Sequence, residues 1–136
     1  EYSLLNRDCE REVLPACENL EIGFLAWSPL GRGVLTGKYR NGIPSDSRAA
    51  SSHFANFVEV FLNDRSRTIV EAVQVAAEGL GYSPTEVALS WVRDSTGVTS
   101  SIVGARTAAQ LKGAIRAEEI SLPEIVRQAL NEVSAI

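Results

Sequence analysis

Hydrophobic residues recur along this chain at two spacings, and they divide it into strands and helices. Ile22, Phe24, Leu25, Ala26 and Trp27 form a short run that is apolar on both faces, the pattern of a parallel strand covered on both sides. Residues 1–6 read as the end of an earlier strand, and Ser101 to Val103 as a later one. Between these lie helical patterns. Asp8 stands where it can cap a helix over Cys9 to Asn19, buried through Val13, Leu14 and Cys17 and loosened by Pro15. Phe54, Phe57, Val58 and Phe61 place a short helix beginning near His53. Ile69, Val70, Val73, Ala76 and Ala77 place a second over Asp64 to Glu78, stopped by Gly79 and Gly81.

Ser83-Pro84-Thr85-Glu86 is a capping box with proline in the first turn. It opens a helix to about Arg93 that buries Val87, Ala88, Trp91 and Val92. Thr107 caps a helix over 108–117, buried through Leu111, Ala114 and Ile115. Ser121-Leu122-Pro123-Glu124 repeats the capping device before a final helix that buries Ile125, Ala129, Leu130 and Val133. Strands alternating with helices define an α/β protein with parallel strands. The strands are too few for a closed sheet, so missing residues, a partner chain or self-association must cover the open edges.

Both full strands end in glycine and positive charge. Trp27 leads into Ser28-Pro29-Leu30-Gly31-Arg32-Gly33-Val34-Leu35-Thr36-Gly37-Lys38. The prolines and glycines force a turn, with a short helical piece expected at 32–36. Its free amides lie beside Arg32 and Lys38, an arrangement suited to an anion. The later strand ends in Gly104-Ala105-Arg106-Thr107. Arg106 precedes a helix whose N-terminus is already positive, a conflict that a bound phosphate would relieve. The pair of strand ends suggests one phosphorylated ligand held between them. Residues 39–53 form a long loop rich in turn formers.

Composition narrows the function classes. The chain has 136 residues and a net charge of −4, which argues against a nucleic-acid binder. No apolar run approaches the ~20 residues of a membrane span. Cys9 and Cys17 lie about 12 Å apart along a helix, too far for a disulfide, so two reduced thiols in a cytoplasmic protein are expected. His53 is the sole histidine and there is no methionine. That absence, with the abrupt start at Glu1, suggests a part of a longer protein. Residues 1–136 show no linker and read as one unit.

Four motifs in order resemble the aldo-keto reductases, NADP-dependent (β/α)8-barrel oxidoreductases. They are Glu1-Tyr2-Ser3-Leu4-Leu5-Asn6-Arg7, the segment from Trp27 to Tyr39, Val87-Ala88-Leu89-Ser90-Trp91-Val92, and Ile102-Val103-Gly104-Ala105-Arg106-Thr107 with Gln110-Leu111. The chain is most similar to the branch that includes voltage-gated potassium channel β subunits and related bacterial oxidoreductases. The resemblance implies a C-terminal segment of a TIM barrel: the end of strand six, then strands seven and eight with their helices, incomplete as a closed barrel.

It also implies an NADP(H) site. Trp27 would stack on the nicotinamide, Ser28, Pro29, Leu30 and the turn at Gly31 would wrap the pyrophosphate, and Lys38 and Arg48 would neutralise phosphate. Gly104, Arg106 and Gln110 would surround the adenosine and its 2′-phosphate. Placement at strand ends agrees with barrel enzymes generally. Each residue also has a plainer reading: Trp27 as core, the basic residues as solvated loop charges. Gly113 and Ala114 stand where family members often carry Glu-Asn against adenine. The family's Asp, Tyr, Lys and His tetrad comes from the first four strands, so no residue here inherits a catalytic role. The complete barrel would reduce a carbonyl compound. The alternative is a non-catalytic nucleotide-binding or assembly module.

Overall fold

A computed structural model describes all of residues 1–136. Two strands, β1 (Phe24–Trp27) and β2 (Val98–Ile102), pair in parallel. The register sets Leu25 against Ser100, Ala26 against Ser101 and Trp27 against Ile102, with an irregularity between Phe24 and Leu25. Both strands therefore end at the same edge. The N-terminal segment adds one strand-like bond there, from the Tyr2 N–H to the Trp27 carbonyl (3.2 Å).

Six helices accompany the sheet: α1 (Val13–Asn19), α2 (Ala55–Glu59), α3 (Asp64–Leu80), α4 (Pro84–Arg93), α5 (Ala108–Arg116) and α6 (Glu124–Val133). The core lies on one side of the sheet, where β2 packs on α4 and Ala26 belongs to one buried cluster with α4 residues Val87, Ala88, Trp91 and Val92 and α3 residues Ile69, Val70, Val73 and Ala77. Local chemistry explains these helices well. In α4 the Ser83 hydroxyl accepts from the Glu86 N–H (3.3 Å), and the Glu86 carboxylate accepts from the Ser83 N–H (2.7 Å). Gly81 ends α3 in the left-handed region at φ 73°, which costs glycine nothing. Asn63 caps the start of α3 by accepting from the Ser66 N–H. Buried Trp91 donates to Asn131 of α6 at 2.9 Å.

Several expectations change. The first helix does not run from Cys9: Asp8–Glu10 is a 3-10 turn, and α1 begins at Val13. Pro15 lacks the N–H that a helix through residues 9–12 would need, and its ring collides with the preceding turn. As the third residue of α1 it occupies the first turn, where amides lack intrahelical partners anyway. Asp8 caps nothing; its own N–H donates to Asn6. Val13 is exposed while Leu14 is buried. Ser121 is not a cap, because α6 starts after Pro123 without a side-chain cap. Of the four residues expected inside from α6, Leu130 is fully buried and Ile125 lies open to solvent. β2 starts at Val98, earlier than expected, and stops at Ile102.

The largest change concerns the sheet's other side. Ile22, Leu25, Trp27, Ile102 and Val103 are exposed, so β1 is covered on one face instead of two. α5 buries no residue: Leu111 and Ile115 face outward. Their spacing is that of a buried stripe, but nothing in this chain lies against it.

Candidate functional site

The register places the tips of β1 and β2 side by side. Beyond Trp27 the backbone turns at once. Ser28 takes φ 54° and Arg32 φ 59°, left-handed values that cost a non-glycine residue strain. The turn is closed by its own groups: the Gly31 N–H donates to the Ser28 carbonyl (2.9 Å) and the Arg32 N–H to the Ser28 hydroxyl (3.0 Å). Residues Gly31–Thr36 then form the 3-10 turn, kinked at Arg32 and Gly33. Pro29 is buried and Leu30 half-buried beneath it. Gly31 is demanded by packing, since a Cβ there would lie 2.6 Å from a Leu5 methyl.

Lys38 folds back over this turn. Its Nζ stands 5.0 Å from the Tyr39 ring centroid, and a Cβ on Gly33 would come within 3.1 Å of that Nζ. Gly33, at φ 91°, thus leaves room for the ammonium. Lys38 and Arg48 are exposed and neither has a carboxylate partner. Arg48 opens a 3-10 turn, Arg48–Ala50, within the long loop.

Arg32 behaves differently from the expectation that it supplies free positive charge. Its guanidinium is spent inside the protein. Nε and Nη2 bind the two Glu1 carboxylate oxygens (2.8 and 2.5 Å), and Nη1 donates to the Phe57 carbonyl (2.5 Å). The group also lies over the Phe57 and Phe61 rings, 3.9 and 4.8 Å from their centroids. It is a fastening, with its charge already neutralised.

Beyond β2, Gly104 is exposed and the backbone runs to α5. Thr107 caps α5 as expected, accepting from the Gln110 N–H (3.2 Å). The Gln110 side chain accepts from the Arg106 N–H (2.8 Å), which ties those two candidates to one turn. Arg106 Nη1 donates to the Asp46 carbonyl at 3.3 Å. The structure thereby joins the β2 tip to the long loop two residues from Arg48. The sequence holds no signal for this contact, because any residue offers a backbone carbonyl.

Trp27 is 44% exposed on the open face, beside Leu25 and Ile102; it is not part of the core. Trp91 is. The other singled-out groups lie outside the strand tips. Tyr2 is buried and its hydroxyl donates to Glu10 (2.7 Å); burial above all pushes its phenol well above the usual range. Burial likewise pushes the Cys9 thiol up, which suppresses the reactive thiolate. Cys9 and Cys17 are both free thiols. His53 is exposed, 3.4 Å from the Ser52 hydroxyl.

The expected free amides are not found, because those of Gly31, Arg32, Gly33, Leu35 and Gly37 donate to acceptors within the turn. These features define a parallel α/β unit whose two adjacent strand tips are joined to one long loop and carry exposed cations nearby. The chain belongs to the aldo/keto reductase family, whose sequence profile matches residues 1–135. It is similar to an uncharacterized oxidoreductase of Bacillus subtilis, 37% identical over 132 residues, covering 97% of this chain and 38% of that protein. A probable voltage-gated potassium channel subunit beta of Arabidopsis thaliana is 34% identical, covering 100% of this chain and 42% of that protein. An L-glyceraldehyde 3-phosphate reductase of Escherichia coli O157:H7 is 35% identical over 119 residues, covering 85% of this chain and 34% of that protein. The chain thus spans about two fifths of the length of the first curated relatives it matches. No helix is long and apolar enough to cross a membrane.

Proposed function

We propose that this chain is the cofactor-gripping part of an NADP(H)-dependent aldo-keto reductase, the C-terminal segment of a (β/α)8 barrel. The observation that carries the proposal is the parallel register. It sets the Trp27 and Ile102 tips together at one edge, where barrel enzymes bind their ligands. The donor set fits a phosphorylated dinucleotide: three candidate cations, Lys38, Arg48 and Arg106, lack carboxylate partners, and Lys38 rests over a glycine that leaves it space.

In this reading Trp27 stacks on the nicotinamide from the open face. Ser28, Pro29, Leu30 and Gly31 shape the turn beside the pyrophosphate, while Lys38 and Arg48 neutralise it. Gly104, Arg106 and Gln110 surround the adenosine and its 2′-phosphate. The nicotinamide supplies hydride when bound, and the groups that move a proton to the carbonyl oxygen belong to the preceding strands. The free thiols of Cys9 and Cys17 accord with a reducing, cytoplasmic setting.

The open face needs a cover. We assign that role to a preceding segment carrying the remaining strands, since the relatives are more than twice as long. A second reading is a nucleotide-binding or assembly module without turnover, favoured by the likeness to a potassium channel subunit beta. The coding sequence upstream of Glu1 separates the two. An in-frame stretch with the Asp, Tyr, Lys and His set supports the reductase, and an adjacent start codon supports the module.

Titration with NADPH, NADP and NAD tests the cofactor assignment. NADPH should quench Trp27 fluorescence, a signal absent from Trp27→Phe, and NADP should bind more tightly than NAD. Lys38→Ala and Arg48→Ala should each weaken NADPH about tenfold, the loss of one charge-assisted contact. Equal affinity for NADP and NAD would remove the 2′-phosphate from Arg106.

A further inference from the structure

We propose that Arg32 is a positioning residue that holds the long loop, and with it Arg48, in its place over the strand tips; for ligand binding this rests on the cofactor reading above. Three segments meet at its guanidinium. Glu1, in the segment bonded to the β1 tip, takes two of its donors, and the Phe57 carbonyl in α2 takes a third. The rings of Phe57 and Phe61 cover its faces. The ion pair is largely withdrawn from water, with the Arg32 and Glu1 side chains 14% and 8% exposed.

A planar fork with donors in fixed directions is what such a junction requires; a lysine ammonium cannot reproduce it. The backbone reinforces the same end. Arg32 holds a left-handed φ of 59°, and its N–H is fixed by the Ser28 hydroxyl. Strain at a non-glycine residue persists where surrounding contacts over-determine it. α2 packs on the 3-10 turn Arg48–Ala50, with Val58 and Ala49 both in the core. The route from Arg32 to Arg48 is therefore continuous: guanidinium, α2, then the turn that carries the second cation. Arg32 touches the phosphate-binding residues through the scaffold and donates nothing to a ligand itself.

The test uses the whole protein with Arg32→Gln, Arg32→Lys, the milder Glu1→Gln, Arg48→Ala, and the Arg32→Gln/Arg48→Ala double variant. Hydrogen exchange without ligand is read first. Arg32→Gln should speed exchange across residues 39–59 and leave α3 and α4 unchanged, with Arg32→Lys and Glu1→Gln in between. NADPH affinity is read second. Arg32→Gln should weaken it about tenfold in the native background and less than about twofold when Arg48 is already alanine. Unchanged exchange over 39–59, equal acceleration in α3 and α4, or a full additive loss in the double variant would each overturn the assignment to Arg48. If the unmodified protein binds no NADPH but Arg32→Gln still frees the loop selectively, the cofactor reading fails and the fastening of the loop stands.

Discussion

Both sides of the sheet carry apolar side chains, and they have opposite fates. On one side Ala26 is fully buried in the cluster that α3 and α4 share. On the other, Leu25, Trp27 and Ile102 lie open, as does the Leu111–Ile115 stripe of α5. A strand presents alternate residues to its two faces, so adjacent residues of β1 sample both environments one peptide apart. The difference is therefore one of partners and not of hydrophobicity. The covered side is completed by local helices; nothing within these 136 residues packs on the open side.

That contrast is sharpest in energy at the two tryptophans. Trp91 is buried, 5.4 Å centroid to centroid from Tyr2, with its indole N–H on Asn131. Trp91→Ala should lower unfolding free energy by about 3–5 kcal/mol, the usual range for a large core aromatic. Trp27→Ala should cost less than about 1 kcal/mol in this chain, because it removes partly hydrated surface. Urea denaturation followed by far-ultraviolet circular dichroism measures both. Equal losses would mean that the open face is covered in solution.

A smaller effect tests the covered side by its capping chemistry. Ser83→Ala should cost about 1 kcal/mol by freeing amides at the start of α4. Glu86 makes the loss depend on pH. Burial alone would raise its carboxyl, but hydrogen bonds from the Ser83 N–H and hydroxyl and the charge of Arg116 outweigh that and draw it below the usual range. A depressed native pKa gives stability that is present above the unfolded value, about 4.3, and lost as pH falls through the native one. Between pH 7 and 3 the unmodified chain should lose more stability than Glu86→Gln. Parallel pH profiles would show that the carboxylate contributes nothing to this end of α4.

Signals confined to a few neighbouring residues are legible in the sequence alone. The capping box at Ser83, the cap at Thr107, the helical piece expected at 32–36 and found as the 3-10 turn Gly31–Thr36, and the stop at Gly81 all lie within one turn of the residue that announces them; Gly79, expected as a stop too, lies inside α3. Of the candidate site, what local signals reach is the two glycine turns at the strand tips; the approach of the long loop to Arg106 is not among them. What stays hidden depends on distant partners. Arg32 reads as a free cation until Glu1, 31 residues away, is found on it. Arg106 meets a backbone carbonyl 60 positions away. The spacing of Leu111 and Ile115 predicts a buried stripe, and the structure leaves it exposed, because spacing alone cannot say whether a partner lies against it.

The smallest stability change separates the two sides most directly. Ile102→Lys replaces an exposed apolar side chain, 54% accessible, with a charge at the rim of the open face. In this chain its effect on unfolding should stay within about 0.5 kcal/mol, as for surface substitutions generally. Its effect on association should be larger, because contiguous apolar patches and unpaired strand edges drive copies together. Light scattering across a concentration series should show the unmodified chain associating and Ile102→Lys remaining smaller. In a longer chain that covers this face, the same lysine would be buried without a partner and should cost several-fold more stability. A near-neutral result there as well would show that residues before Glu1 do not pack on Ile102, and the assignment of the open face to them would fall.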